Sequence, residues 1–234
     1  MSNLDYKDYL KTLNKISNAL VSDLYLEDIL KLIVTLTANV MGAKICNVWL
    51  IDEKKQEFTI KATQAMSKEY LKKRTIKLTE GIVGLVARER KPKIIFDVLK
   101  EEQYKEKKLA IKEGLVSMAS IPMMVKDNVI GVLNVYTNKP YEFTKAEISL
   151  LSTVANQAAV AIEKTELIVR TKIIQEELDT RKKVEKAKGI LMREKKISED
   201  EAFLLMRKSS MDKRISMKEI SEAIILSYEI RQIK

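Results

Sequence analysis

Between positions 181 and 196 the chain places eight cations, Arg181, Lys182, Lys183, Lys186, Lys188, Arg193, Lys195 and Lys196, against two carboxylates, Glu185 and Glu194. Ammonium and guanidinium groups at that density suit a polyanion, because each one that meets a phosphate releases condensed counterions. Within the cluster lies the string Ala187-Lys188-Gly189-Ile190-Leu191-Met192. A glycine inside a helix costs about 1 kcal/mol relative to alanine, so Gly189 implies that something needs the missing side chain. Close approach of another helix or of a nucleic-acid backbone would satisfy that need.

The remaining composition closes most catalytic chemistry. With no histidine, the chain has no His base, no Ser-His-Asp or Cys-His arrangement and no imidazole ligand for zinc or haem. Cys46 is the single cysteine, so neither an intrachain disulfide nor a multi-cysteine metal site can be built. No enzyme activity, metal or cofactor is expected. Lysine and arginine total 43 against 33 acidic residues, a formal charge of +10, which favours a polyanionic partner. The apolar runs are short and interrupted, and positions 1–5 carry no basic segment ahead of an apolar one. No membrane span or export signal is therefore expected, and the cytoplasm is the expected location.

The elements that must position the cluster follow from periodicity. Leu10, Leu13, Ile16 and Leu20 form one helical face over about 5–20; Ile29, Leu30, Ile33, Leu36, Thr37 and Val40 repeat it over 26–41, and Gly42 supplies a stop. From 44 to 52 the period drops to two, with Ile45, Asn47, Trp49 and Ile51 opposite Cys46, Val48 and Leu50, a strand covered on both faces. A polar turn joins it to a second strand over 57–62, giving a hairpin. The stretch 66–90 reads as helical. Its Gly81 and Gly84 lack the Lys-Thr pair of a P-loop and indicate tight packing instead. A short strand over 93–96, an irregular charged stretch over 100–113 and two strands over 117–125 and 129–136 complete a mostly antiparallel sheet. Asp127-Asn128 makes the last turn, and Gly131 marks a bulge or a close backbone contact.

This order of elements, with Gly81-Ile82-Val83-Gly84-Leu85-Val86-Ala87, Ile121-Pro122-Met123, Ile130-Gly131-Val132-Leu133-Asn134-Val135 and Phe143-Thr144-Lys145-Ala146-Glu147, resembles a GAF domain over most of 1–165. The resemblance implies a sensor fold whose small-molecule ligand, where there is one, sits between the sheet and lid helices. Trp49, Phe96, Tyr104, Met118 and Met123 are the expected walls of that pocket. The cyclic-nucleotide signature, Asn-Lys followed by Phe-x-x-x-Asp-Glu, is absent; a haem-binding member would need an axial ligand, and a methionine sulfoxide reductase member more than one cysteine. Cys46, on a buried strand, reads as packing.

Thr144 and Glu147 form a capping box, and no glycine or proline recurs before Gly189, so one long helix is expected. Ile148, Leu151, Ala155, Ala158, Ile162, Thr165 and Val169 alternate by three and four, the expected seam of a parallel coiled-coil homodimer. Ser198 with Glu201 and Ser216 with Glu219 start two further helices. Their inner faces are Ala202, Phe203, Met206 and Ser210, then Met217, Ile220, Ala223 and Ile224.

The Ala187–Met192 string, together with Ile197-Ser198-Glu199-Asp200-Glu201-Ala202-Phe203 and Met206-Arg207, resembles the ANTAR domain over about 178–225. The resemblance implies RNA binding in transcription antitermination, with dimers gripping paired hairpins in a leader transcript. It carries a contact patch onto Ala187, Lys188 and Gly189 and basic positions onto Arg193 and Arg207; Arg181, Lys208, Lys213 and Arg214 are further candidates by charge. Lys188 and Arg193 would meet phosphates, while Ala187 and Gly189 leave room for a base or backbone. Lys196 stands where the family usually has glycine, and Ser210 and Ser221 where it usually has alanine.

The expected layout is a GAF-like sensor over 1–143, a connecting and dimerising helix over 144–180, and an ANTAR-like RNA-binding bundle over 181–234. In fold terms this is an α+β domain with a mostly antiparallel sheet flanked by helices, then a long coiled-coil helix and an all-α three-helix bundle. The expected function is a signal-responsive transcription antiterminator that binds RNA as a homodimer. A DNA-binding transcriptional regulator with a GAF sensor is the alternative, since a basic three-helix bundle can imitate helix-turn-helix.

Overall fold

A computed structural model describes residues 6–20, 22, 25–67, 70 and 74–232. The chain forms two compact units, 1–165 and 166–234. Among the described residues no helix is long and apolar enough to cross a membrane.

The first unit is organised by period-two alternation. Strands β1 (Ile45–Asp52), β2 (Glu57–Thr63), β3 (Thr75–Lys77), β4 (Lys93–Ile95), β5 (Met118–Val125) and β6 (Asn128–Tyr136) form one sheet in the order β3-β2-β1-β6-β5-β4. All its neighbouring strands are antiparallel. Because alternate side chains point to opposite faces, each face acquires its own core. Cys46, Val48, Ile121, Leu133 and Val135 pack with α1 (Tyr6–Leu20), α2 (Leu26–Met41) and the first turns of α5 (Lys145–Lys195). On the lid face, Ile45, Trp49, Phe58, Met118, Val132 and Tyr136 pack with α3 (Gly81–Glu89), α4 (Lys107–Glu113) and the loop between them.

Several expectations change here. The stretch expected to be helical contains β3 as well as α3, and positions 68–69 and 71–73 lie outside the described residues. The charged stretch expected to be irregular holds α4, which Gly114 ends in the left-handed conformation. The expected coiled-coil seam is largely used inside the unit: Leu151, Ala155, Ala158 and Ile162 are buried against the sheet, and Ile148 packs beside them. Alanine at these positions lets the helix backbone approach the strands closely, a role indistinguishable in sequence from a helix–helix seam. Gly42 ends α2 as expected, at φ +54°. The Thr144–Glu147 box forms in both directions, at 2.8 and 3.2 Å.

The second unit comprises the rest of α5, α6 (Glu199–Lys213) and α7 (Met217–Gln232). Its core is Ala187, Leu191, Ala202, Met206 and Ile220, edged by Val184, Ile197, Ile215 and Ile224. Phe203, expected on the inner face of α6, is 41% exposed. Both remaining capping boxes form: Ser198 N–H and Ser216 N–H donate to Glu201 and Glu219 at 2.8 and 2.7 Å, and the serine hydroxyls accept in return. The helix ends are less relaxed. Lys196 and Arg214 both follow a helix at φ +53°, a conformation that disfavours any residue with a Cβ. This is the physical reason a glycine suits position 196.

Gly131 answers a backbone constraint. A Cβ there would meet the Trp49 carbonyl oxygen at 2.3 Å, across the β1–β6 pairing. Gly131→Ala should therefore destabilise the first unit by about 2 kcal/mol, as overpacking does. A urea midpoint that does not move would show that the two strands separate without cost.

Candidate functional site

The basic cluster on α5 divides into cations that hold the bundle and cations that face outward. Lys188 is only 9% exposed; its Nζ donates to Glu199 Oε1 at 2.6 Å and lies 2.8 Å from Glu185 Oε1. Lys183 reaches Glu222 on α7 at 2.6 Å, Lys186 reaches Glu229 at 2.8 Å, and Arg231 reaches back to Glu194 at 3.3 Å. These pairs tie α5 to α6 and α7. Hydrogen bonds donated to Glu185 and Glu199 raise the Lys188 pKa, and the bond from Lys188 lowers that of Glu199. Glu222 is lowered in the same way by Lys183.

Ala187 is fully buried in the bundle core, so it does not present a contact surface; its size serves the close approach of α6. Gly189 differs. A Cβ built there would have nothing within 4 Å, so no contact inside the chain requires the glycine. At seven- and four-residue spacing it shares one face of α5 with Lys182, Glu185 and Arg193, turned away from Ala187 and Leu191. Arg181, Lys182, Arg193, Lys195 and Lys196 are exposed and make no ion pair among the described residues. The Arg193 guanidinium sits 5.8 Å from the Tyr228 ring, and its Nε donates to the Gly189 carbonyl at 3.1 Å, which fixes it beside the glycine.

Arg207, Lys208, Lys213 and Arg214 are also exposed, without ion pairs among the described residues, but they spread around α6 and its end. Lys213 rims a groove of about 640 Å³ floored by Leu191, Met206, Ile220 and Ile224. A second exposed stripe lies on the part of α5 in this unit. Leu167, Ile174 and Leu178 are each about half exposed, and with Thr171 they repeat at four, three and four.

In the first unit, Trp49, Tyr104 and Met118 share the lid-face cluster with Tyr70 and Tyr136. Two other expected walls do not join them. Met123 lies on the opposite face, as its odd spacing from Met118 requires, and Phe96 is 54% exposed. The polar residues of this cluster were not anticipated. Asn47, Asn134 and Ser120 are fully buried and stand opposite one another across β1, β6 and β5, with Ser120 Oγ donating to Asn134 Oδ1 at 2.7 Å. Asn47 Nδ2 donates to the Tyr70 hydroxyl. Arg74 pairs with Glu106 at 2.5 Å, its guanidinium 4.3 Å from the Tyr70 ring and 5.7 Å from that of Trp49. Burial raises the pKa of Glu106 despite the arginine beside it, and raises those of Tyr70, Tyr104 and Tyr136. Asn47 alternates in phase with Trp49, and that was the one signal available in the sequence.

Comparison with known proteins matches a GAF domain family to residues 24–163 and an ANTAR domain family to residues 173–225. The chain is 25% identical over 158 residues to the Escherichia coli (strain K12) protein named phosphoenolpyruvate-dependent phosphotransferase system, covering 68% of this chain and 21% of that one. It is 38% identical over 52 residues to the transcriptional regulatory protein PdtaR of Mycobacterium tuberculosis, covering 22% of this chain and 25% of the relative. The chain thus spans about a fifth to a quarter of the length of these relatives. Among solved structures, the GAF domain of an Acinetobacter phosphoenolpyruvate-protein phosphotransferase is 27% identical with TM-score 0.61, covering 73% of this chain and 99% of that one. The corresponding Coxiella burnetii domain, 24% identical with TM-score 0.65 over 72% of this chain and 99% of that one, shows the same fold.

The ion pairs give the bundle a defined pH response. Glu199 and Glu222 have lowered pKa values, so their contribution is present above the ordinary glutamate value and is lost as pH falls through the lowered ones. Lys188 has a raised pKa, so its share is full below the ordinary lysine value and is lost only as pH rises through the raised one. Amide-exchange protection in α6 and α7 should hold at neutral pH and fall below about pH 4.3. Lys188→Ala should lower the protection at neutral pH and flatten the acid limb. Unaltered protection in that variant would mean the clamp holds nothing.

Proposed function

Because the chain belongs to the GAF family and carries a C-terminal ANTAR domain, we propose that it is a signal-responsive transcription antiterminator that binds RNA hairpins as a homodimer. The coarser statement, a regulator with an ANTAR module, follows from the two domain matches and the similarity to PdtaR. The observation that carries the finer reading is Gly189: it costs helix stability, has open space above it, and shares its face with Lys182 and Arg193, which make no ion pair among the described residues. A phosphate backbone lying across α5 at this point would gain two cations and meet no side chain at Gly189 itself, while Glu185, on the same face, is engaged by Lys188. Arg181 and Lys196 extend the same electrostatic surface, and Arg207, Lys208, Lys213 and Arg214 add weaker contacts around α6. Lys188 acts differently: held by Glu185 and Glu199, it positions α5 against α6 and so sets the surface from behind.

The homodimer uses the stripe Leu167, Thr171, Ile174 and Leu178 rather than the residues spent on the sheet. Its spacing is that of a coiled-coil seam, and a parallel second copy would bring Glu177 toward the partner's Lys182. The first unit supplies the signal by binding a small molecule on its lid face. A ligand acts only if it favours one arrangement of the dimer over another.

Gly189→Ala separates RNA contact from folding. It should raise helix stability by about 1 kcal/mol and yet weaken binding to a two-hairpin RNA. Lys182→Ala with Arg193→Ala should lower the salt dependence of binding by about two counterion equivalents. Unchanged RNA affinity in the glycine variant at matched salt would remove the site, and tighter binding to duplex DNA of equal length would favour the DNA-binding alternative. For the seam, Ile174→Asp should convert a dimer to monomer in sedimentation equilibrium and reduce RNA affinity with it; a wild-type chain that sediments as a monomer ends the dimer reading.

A further inference from the structure

Of six buried side-chain polar atoms without a hydrogen-bond partner among the described residues, four lie on the lid side of the first unit's sheet: Trp49 Nε1, Arg74 Nε, Asn47 Oδ1 and Asn134 Nδ2. Folded proteins satisfy nearly all such atoms, so this concentration calls for an occupant. The geometry gathers them. Asn47 and Asn134 face each other across β1 and β6, Trp49 follows Asn47 on the same face, and the Arg74 guanidinium lies over the Trp49 ring. Trp49 and Arg74 offer N–H donors whose direction is fixed by their rings and planes, which asks for an acceptor. Each amide meets a partner at one end only. Beside them is one further charge, the Glu106 carboxylate, which with Arg74 is mostly buried, at 17% and 16% side-chain exposure.

We propose that this is a binding site for a free α-amino acid. The carboxylate accepts from Trp49 Nε1–H and from Arg74, and the ammonium donates to Glu106. Charge balance selects the zwitterion. An anion alone would take Arg74 and strand Glu106, a cation alone would take Glu106 and strand Arg74, and either leaves an uncompensated buried charge. A molecule carrying both charges exchanges one ion pair for two. The two unpaired amide ends then select the amino acid's side chain. This inference rests on the reading of the first unit as the sensor and gives that sensor a ligand class.

The test is isothermal titration of the full chain with the common L-amino acids one at a time, each binder being compared with its α-amide, its N-acetyl derivative and its α-hydroxy acid analogue. At least one amino acid should bind saturably at up to millimolar concentration. The amide and the N-acetyl form should bind about tenfold weaker or worse, as should the hydroxy acid, which gives Glu106 no cation. Trp49→Phe keeps the ring and removes the donor, so it should weaken binding by about tenfold with the unfolding midpoint retained. Glu106→Gln should abolish the preference for the amine over the hydroxyl. Binding by no amino acid, equal binding by the N-acetyl or amide form, or undiminished binding in both variants overturns the assignment. RNA affinity measured with and without the bound amino acid tests the sensor reading separately: binding that leaves RNA affinity unchanged upholds the site and removes its regulatory role.

Discussion

Alanine where other helices carry larger side chains sets how closely α5 lies to its neighbours, and the charge chemistry depends on that closeness. In the first unit Ala155, Ala158 and Ala159 are fully buried against the sheet. In the second, Ala187 meets a core that includes Ala202. With so little between the helix backbones, long side chains at the flanks of the contact can span to the next helix, and Lys183, Lys186 and Lys188 each end on a glutamate of α6 or α7. A larger residue at 187 would push the helices apart and lengthen every one of those pairs.

That geometry sorts a cluster which sequence presents as uniform. Exposed ion pairs contribute little individually, and the pairs from Lys183 and Lys186 are of that kind. Lys188 is better shielded and bound by two carboxylates, so it is the firmest of the set. Neutralising these three leaves the positive field of α5 to Arg181, Lys182, Arg193, Lys195 and Lys196, of which Lys182 and Arg193 share the open face with Gly189. The bundle thus directs its field by consuming the cations within reach of glutamates on α6 and α7.

How much of this could be read beforehand depended on whether the signal was local. The capping boxes at Thr144, Ser198 and Ser216 rest on contacts three residues apart, and all three form where the residue types put them. Strand alternation placed Trp49 and Met118 on one face; the same alternation, applied consistently, would have put Met123 on the other. Much of the stripe expected as a seam on α5 packs on the sheet, because a three-four repeat of small and apolar residues describes a helix on a sheet as well as a helix on a helix. Lys188 and Lys182 differ in sequence only by phase, and which of them meets Glu199 is decided by tertiary packing. Arg74 and Glu106 are 32 residues apart, so no local pattern could join them.

Three glycines and the left-handed Lys196 form a contrast that bears on function. Gly131 and Gly84 are forced: a Cβ at either would lie 2.5 Å or less from a carbonyl oxygen. Gly189 is not forced, and Lys196, seven residues on, occupies a left-handed position that glycine would hold with less strain. Each choice costs about 1 kcal/mol of folding stability, the first through helix propensity and the second through Cβ crowding. No neighbour within 4 Å of a Cβ at Gly189 explains the first choice among the described residues. Both fall on the segment that carries the exposed cations, and both act on an outward surface, one by removing a side chain and the other by adding a charge. Local rules broken together in one place are expected where the surface itself is what the sequence specifies.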